Sequence, residues 1–179
     1  MTQAAKEYGG ALFALASEEG MAEELLEQTR SVRTLLKDNP AYGRLLSTVS
    51  ILKAERVALI DQAFSGLVHP YICSFLKLLT ENGHSHDIDD CLAVYEDLYY
   101  KANNIVRAQV VSATELTEEQ KQKLQQKINQ RTGKTVEIRY EIDPALIGGI
   151  RVTVDSLLLE DTIRARLDQF RDRLNKITI

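Results

Sequence analysis

Nowhere in these 179 residues is there a run of about 18 apolar residues, the length a membrane-crossing helix requires. The opening Met-Thr-Gln-Ala-Ala-Lys-Glu has neither the apolar core of a secretory signal nor the Arg- and Ser-rich character of a transit peptide. The expectation is a protein that stays where it is made and meets a membrane only through a partner. Two cysteines, Cys73 and Cys91, are too few for a disulfide framework and lack metal-ligand spacing. They read as buried free thiols in a reducing compartment. With only three prolines, 44% hydrophobic and 27% charged residues, the composition excludes a disordered chain. A net charge of -4 gives no general reason to expect nucleic acid or an anionic membrane surface as partner.

Motifs of catalysis are missing as well: there is no nucleophile elbow, no HExxH and no paired-cysteine motif. Gly148-Gly149 lacks the G-x-G-x-x-G and G-K-S/T patterns and opens a strand, so it reads as a place needing positive φ or a bulge. His84-Ser85-His86-Asp87, with Asp89 and Asp90, is the one cluster that resembles metal ligands. No distant third ligand presents itself apart from His69, and a solvated turn between helices is the favoured reading. The sequence therefore predicts no catalytic residue, no cofactor and no metal, and a binding or scaffolding role.

What is present divides in two. Residues 1–104 carry nine Lys/Arg against fifteen Asp/Glu, and residues 105–179 carry thirteen against eleven. The hydrophobic period changes at the same place. In the first part apolar residues recur at helical spacing between short breaks at Gly20, Asn39-Pro40, Gly66, Pro70 and Asn82-Gly83. This predicts a six-helix bundle over 1–104. Its first helix contains Gly9 and Gly10, each costing roughly 1 kcal/mol relative to alanine inside a helix. A close-packed neighbour would justify that, either a helix of the same bundle or a partner's helix in a groove.

In the second part Val106, Ala108 and Val110 share a strand face, and Thr117 and Gln120 have capping-box spacing before a helix that ends at Thr132-Gly133. Val136, Ile138, Tyr140 and Ile142 then alternate with charged residues, as do Ile150, Val152 and Val154. Asp155-Ser156 turns into a short strand, Leu157 to Leu159, and a last helix starts at Asp161 or Thr162. The order β-α-β-β-(β)-α predicts a small α+β domain over 105–179, so the chain as a whole is α+β. The last helix presents Arg164, Arg166, Arg171, Arg173 and Lys176, open to an acidic partner, to nucleic acid or simply to solvent.

From Asp143 to Leu167 the sequence resembles the C-terminal signature of the ATP synthase delta subunit family, which includes the mitochondrial oligomycin-sensitivity-conferral protein. The likeness is carried by Pro144, Leu146, Ile147, Gly148, Gly149 and Val152, then Thr162, Ile163, Arg164, Arg166 and Leu167. The run Lys6 to Ala16 is similar to the family's opening helix, and Phe75 to Leu79 and Ala108 to Ala113 match at the family's positions. His84 stands where an arginine commonly follows the fifth helix. The resemblance implies a non-catalytic stator subunit, one copy per complex, that links the catalytic head to the peripheral stalk. It implies that the helical domain receives the N-terminal helix of an alpha subunit between its first and fifth helices, with Tyr8, Ala11, Leu12, Leu15, Phe75, Leu76 and Leu79 as groove candidates. It implies that the second domain contacts the b subunits, with Arg164, Arg166, Arg171 and Arg173 as candidates. The location implied is the cytoplasmic face of a bacterial plasma membrane, held there through the complex.

Overall fold

The computed structural model describes residues 2–48, 50–146, 148–154 and, for the backbone, 157–162. Two compact units divide it, Met1–Ala102 and Asn103–Ile179.

Six α-helices occupy the first unit: α1 (Gln3–Glu18), α2 (Ala22–Asp38), α3 (Pro40–Ser47), α4 (Lys53–Phe64), α5 (Pro70–Glu81) and α6 (Ile88–Ala102). Their limits follow local chemistry. Thr2 caps α1 by accepting a hydrogen bond from the Ala5 amide at 3.1 Å. Pro40 and Pro70 stand in the first turns of α3 and α5, where a missing N–H costs nothing. Gly83, at φ +80°, turns the chain out of α5 into the 3-10 turn Ser85–Asp87.

Apolar faces of these helices meet in one core that includes Leu25, Val32, Ile60, Ile72, Leu92 and Tyr95. Tyr95 is fully buried, and its hydroxyl donates to the carbonyl of Ala22 at 2.9 Å, joining α6 to the start of α2. Buried Arg56 is accommodated because its guanidinium donates to the Leu46 carbonyl at 3.1 Å. Val49 lies outside the described residues.

The second unit is α+β. Its sheet has the order β2-β1-β3-β4, built from β1 (Ile105–Ser112), β2 (Thr135–Ile142), β3 (Gly149–Val154) and β4 (Leu157–Thr162). β1 and β2 are parallel, which requires a crossover, and α7 (Glu118–Thr132) supplies it. The expected capping box is formed: Thr117 accepts from the Gln120 amide while Gln120 Oε1 accepts from the Thr117 amide at 2.9 Å. Val106, Ala108, Val110, Ile128, Val136, Val152 and Val154 make this unit's own core.

Two expectations are corrected here. Ile142 is 57% exposed rather than buried, because it pairs with Ser112 at the last rung of the β1–β2 ladder, where the sheet ends. The last helix does not begin at Asp161 or Thr162, since β4 extends through Thr162 and pairs with β3 from Val154↔Leu157 to Gly149↔Thr162. Both residues have capping chemistry, but the free backbone edge of β3 offers hydrogen bonds that a local cap cannot match. The turn expected at Asp155-Ser156 and the residues expected in a last helix, Arg164, Arg166, Arg171 and Arg173 among them, lie outside the described residues.

Candidate docking groove

Helix α1 packs along α6 and α5 along α4, and a groove of about 350 Å³ remains between α1 and α5. Tyr8, Ala11, Leu12 and Leu15 line one wall, and Tyr71, Ser74, Phe75 and Leu78 the other. Each set follows the i, i+3, i+4, i+7 rule that puts four residues on one helix face. Leu12 and Phe75 are nearly buried, whereas Leu15 and Leu78 stand on the rim, 37% and 46% exposed. None of the eight lining residues bears a charge. At the Tyr8 end, Asn82 Nδ2 donates to the Tyr8 hydroxyl at 3.0 Å and the His84 ring packs 5.5 Å from the Tyr8 ring.

Five of the seven groove candidates therefore meet in one place: Tyr8, Ala11, Leu12, Leu15 and Phe75. Leu76 and Leu79 do not. They are 1% and 0% exposed and belong to the core, so no partner can reach them. The reason is that α5 is apolar on two faces. Ile72, Leu76 and Leu79 form the inward stripe, while Tyr71, Ser74, Phe75 and Leu78 form an outward one. Sequence reasoning missed Tyr71, Ser74 and Leu78 for that reason. The available signal was the second stripe itself, since a helix apolar all round has more than one neighbour.

Charge is kept to the sides. Arg33 of α2 donates to Asp89 at 2.9 Å and to Glu96 at 2.8 Å, both on α6, and Arg30 donates to Glu96 at 3.0 Å. The Arg33 hydrogen bond, opposed by burial and aided by the Arg33 and Lys37 charges, holds the Asp89 carboxyl below its ordinary range. Beside the Tyr8 end of the groove, the turn at 84–87 gathers His84, His86 and Asp87, a group of side chains able to hold a metal ion among the described residues.

Among the described residues, the signature positions from Pro144 to Val152 shape the sheet and its turn. Pro144–Leu146 forms a 3-10 turn with Leu146 buried, Gly149 opens β3 at φ +87°, and Val152 is buried opposite Val110. Ile147 lies outside the described residues. A smaller hollow of about 310 Å³ lies at the edge strand β2, lined in part by Val136, Ile138 and Tyr140.

A helical unit with an uncharged, rimmed groove, followed in the chain by a small α+β unit, is the architecture of a protein-docking subunit. The family model described as the ATP synthase delta (OSCP) subunit matches residues 4–174, so the chain belongs to that family. It is a structural, non-catalytic subunit of the ATP synthase complex.

Relatives agree along nearly the whole length. "ATP synthase subunit delta" of Synechococcus elongatus is 34% identical over 161 residues, 89% of each chain. The protein of that name from Alkaliphilus metalliredigens is 29% identical over 98% of this chain and 97% of its own. A chain in the cryo-EM structure of the Toxoplasma gondii mitochondrial ATP synthase hexamer shares the fold. Its TM-score is 0.73 at 18% identity, and the match covers 97% of this chain and 98% of that one.

Proposed function

We propose that this chain is the stator adaptor of a bacterial F-type ATP synthase, the piece of the peripheral stalk that holds the catalytic head against rotor torque. Proton flow turns the rotor, and an unrestrained head would turn with it. A double-ended adaptor prevents this by binding the head at one end and the stalk at the other. Neither end needs to touch ATP or a proton. Each contact should bury more than about 1,000 Å² to be specific and long-lived.

In this reading the helical unit receives the N-terminal helix of an alpha subunit. The single observation that carries it is the groove between α1 and α5, which exposes Leu15 and Leu78 on its rim over an apolar floor. A helix laid there would cover Tyr8, Ala11, Leu12, Leu15, Tyr71, Ser74, Phe75 and Leu78. The second unit contacts the b subunits, with Arg164, Arg166, Arg171 and Arg173 as the proposed contacts. One copy serves each complex, at the cytoplasmic face of the plasma membrane. Among the described residues no helix is long and apolar enough to cross a membrane, which fits attachment through the complex.

A synthetic peptide of the alpha N-terminus titrated into the full chain tests the head contact. Saturable binding tighter than roughly 10 µM is expected. Leu78→Asp, a rim substitution, should weaken it by about tenfold or more while leaving the melting temperature in place. Absence of binding at that concentration would remove the basis for the proposal.

A further inference from the structure

Three potential ligand atoms from His84, His86 and Asp87 lie within 4.8 Å of one another, all three within the cluster that the sequence offered. The turn after α5 produces this. The His84 amide closes on the Leu79 carbonyl at 2.7 Å and the Asp87 amide on the His84 carbonyl at 3.0 Å, which stacks residues 84 and 87 side by side. His84 Nδ1 is then 3.1 Å from Asp87 Oδ2, and His86 Nε2 is 3.3 Å from the same oxygen.

The carboxylate is the fixed point of the cluster. Asp87 is 5% exposed, and its other oxygen, Oδ1, accepts a hydrogen bond from the Thr2 hydroxyl at 3.1 Å. The 3.1 Å contact from His84 Nδ1 to Oδ2 engages its second oxygen, so both carboxylate oxygens are held in place. The rings are the accessible part: the His84 and His86 side chains are 34% and 65% exposed. His84 is further restrained by the Tyr8 ring, 5.5 Å away.

We propose that His84, His86 and Asp87 form a binding site for a zinc-class divalent cation. Zinc bonds imidazole nitrogen and carboxylate oxygen at about 2.0–2.2 Å, so tetrahedral ligands are separated by about 3.3–3.5 Å. The two distances to Asp87 Oδ2 are already close to that edge. Exposed His86 supplies the remaining adjustment by rotating its side chain. Two nitrogens and one oxygen select zinc and its neighbours nickel and copper over magnesium and calcium, which prefer oxygen ligands throughout. Thr2 orients the carboxylate from behind, as hydrogen-bond partners of metal ligands do. The fourth position faces solvent and takes water. An ion here ties the turn before α6 to Thr2, the N-cap of α1, at the Tyr8 end of the groove. The site does not depend on what occupies that groove.

The test is titration of zinc chloride alone into the full chain, with a competing chromophoric chelator as readout and thermal melting in parallel. One ion per chain, with a dissociation constant at or below roughly 10 µM, and a melting temperature that rises with zinc are expected. His86→Ala, on an exposed side chain, and Asp87→Asn should each weaken binding by about tenfold or more, with His69→Ala unchanged. His86→Ala keeps the test valid if Asp87→Asn fails to fold. No saturable binding, or equal affinity in the wild type and His86→Ala, or an equal loss in His69→Ala, would overturn the site.

Discussion

A Cβ built on Gly9 would sit 2.4 Å from the carbonyl oxygen of Cys91 and 2.9 Å from Cβ of Val94, whereas one on Gly10 would meet nothing within 4 Å. The neighbour that calls for Gly9 is thus α6 of the same unit. Gly9→Ala should destabilise the protein by about 1–3 kcal/mol, because backbone must move to admit the methyl group. Gly10→Ala should stabilise by up to about 1 kcal/mol through helix propensity alone. Urea denaturation of the two variants measures both signs, and equal shifts would contradict the packing described. The same close approach encloses Cys91, whose thiol is pushed up to about 12 by burial and by the charges of Asp87 and Asp90. Burial also raises Cys73, against the pull of Lys77. Both should react with iodoacetamide in the native protein more slowly than after unfolding, Cys91 by roughly a hundredfold or more near pH 8.

At the scale of elements, α2 and α6 are joined by charge as well as by the core. The Asp89 carboxyl lies lower in the folded protein than its unfolded value of about 3.9. Its ion pair with Arg33 therefore contributes fully above about pH 4, and the contribution is lost as pH falls through the folded value. With Asp89 half exposed, the contribution is at most about 1 kcal/mol. Melting temperatures recorded from about pH 6 down to about pH 3 should fall less steeply in Arg33→Met than in the wild type. An identical acid slope would show the pair to be idle. Helix α5 gives the second comparison at this scale. Leu76→Ala should cost about 2–5 kcal/mol, since its side chain is in the core. Leu78→Asp, two residues along and on the opposite, rim-facing side, should leave stability within about 0.5 kcal/mol.

For the whole molecule, the two cores share no residue among the described ones: the buried members of one run from 5 to 95 and those of the other from 106 to 154. Fragments 1–104 and 105–179 are each expected to fold alone, the first with a cooperative helical melt by circular dichroism. A fragment 1–104 that melts without cooperativity would show that the helical core needs more than its own residues. Function belongs to this scale too. Membranes depleted of this subunit should hydrolyse ATP without pumping protons, and restoring the full chain, but neither fragment alone, should recover coupling. Full coupling in its absence would exclude a torque-bearing role.

Periodicity, caps and turn residues act over a few positions, so the sequence alone determined the helical limits at Pro40, Pro70 and Gly133, the capping box at Thr117 and the alternation of β1, β2 and β3. It also pointed to a close neighbour for the Gly9-Gly10 pair, which the structure narrows to Gly9, and to buried free thiols at Cys73 and Cys91. Which neighbour, which stripe of α5 faced inward, and that β4 ran on through Thr162 were decided only by tertiary structure. Each of those outcomes depends on a surface supplied by a distant part of the chain: α6 for Gly9, the common core for Leu76 and Leu79, the open edge of β3 for Thr162. The meeting of His84, His86 and Asp87 is of both kinds, since a 3-10 turn brings the three together and Thr2, 85 residues away, holds the carboxylate in place.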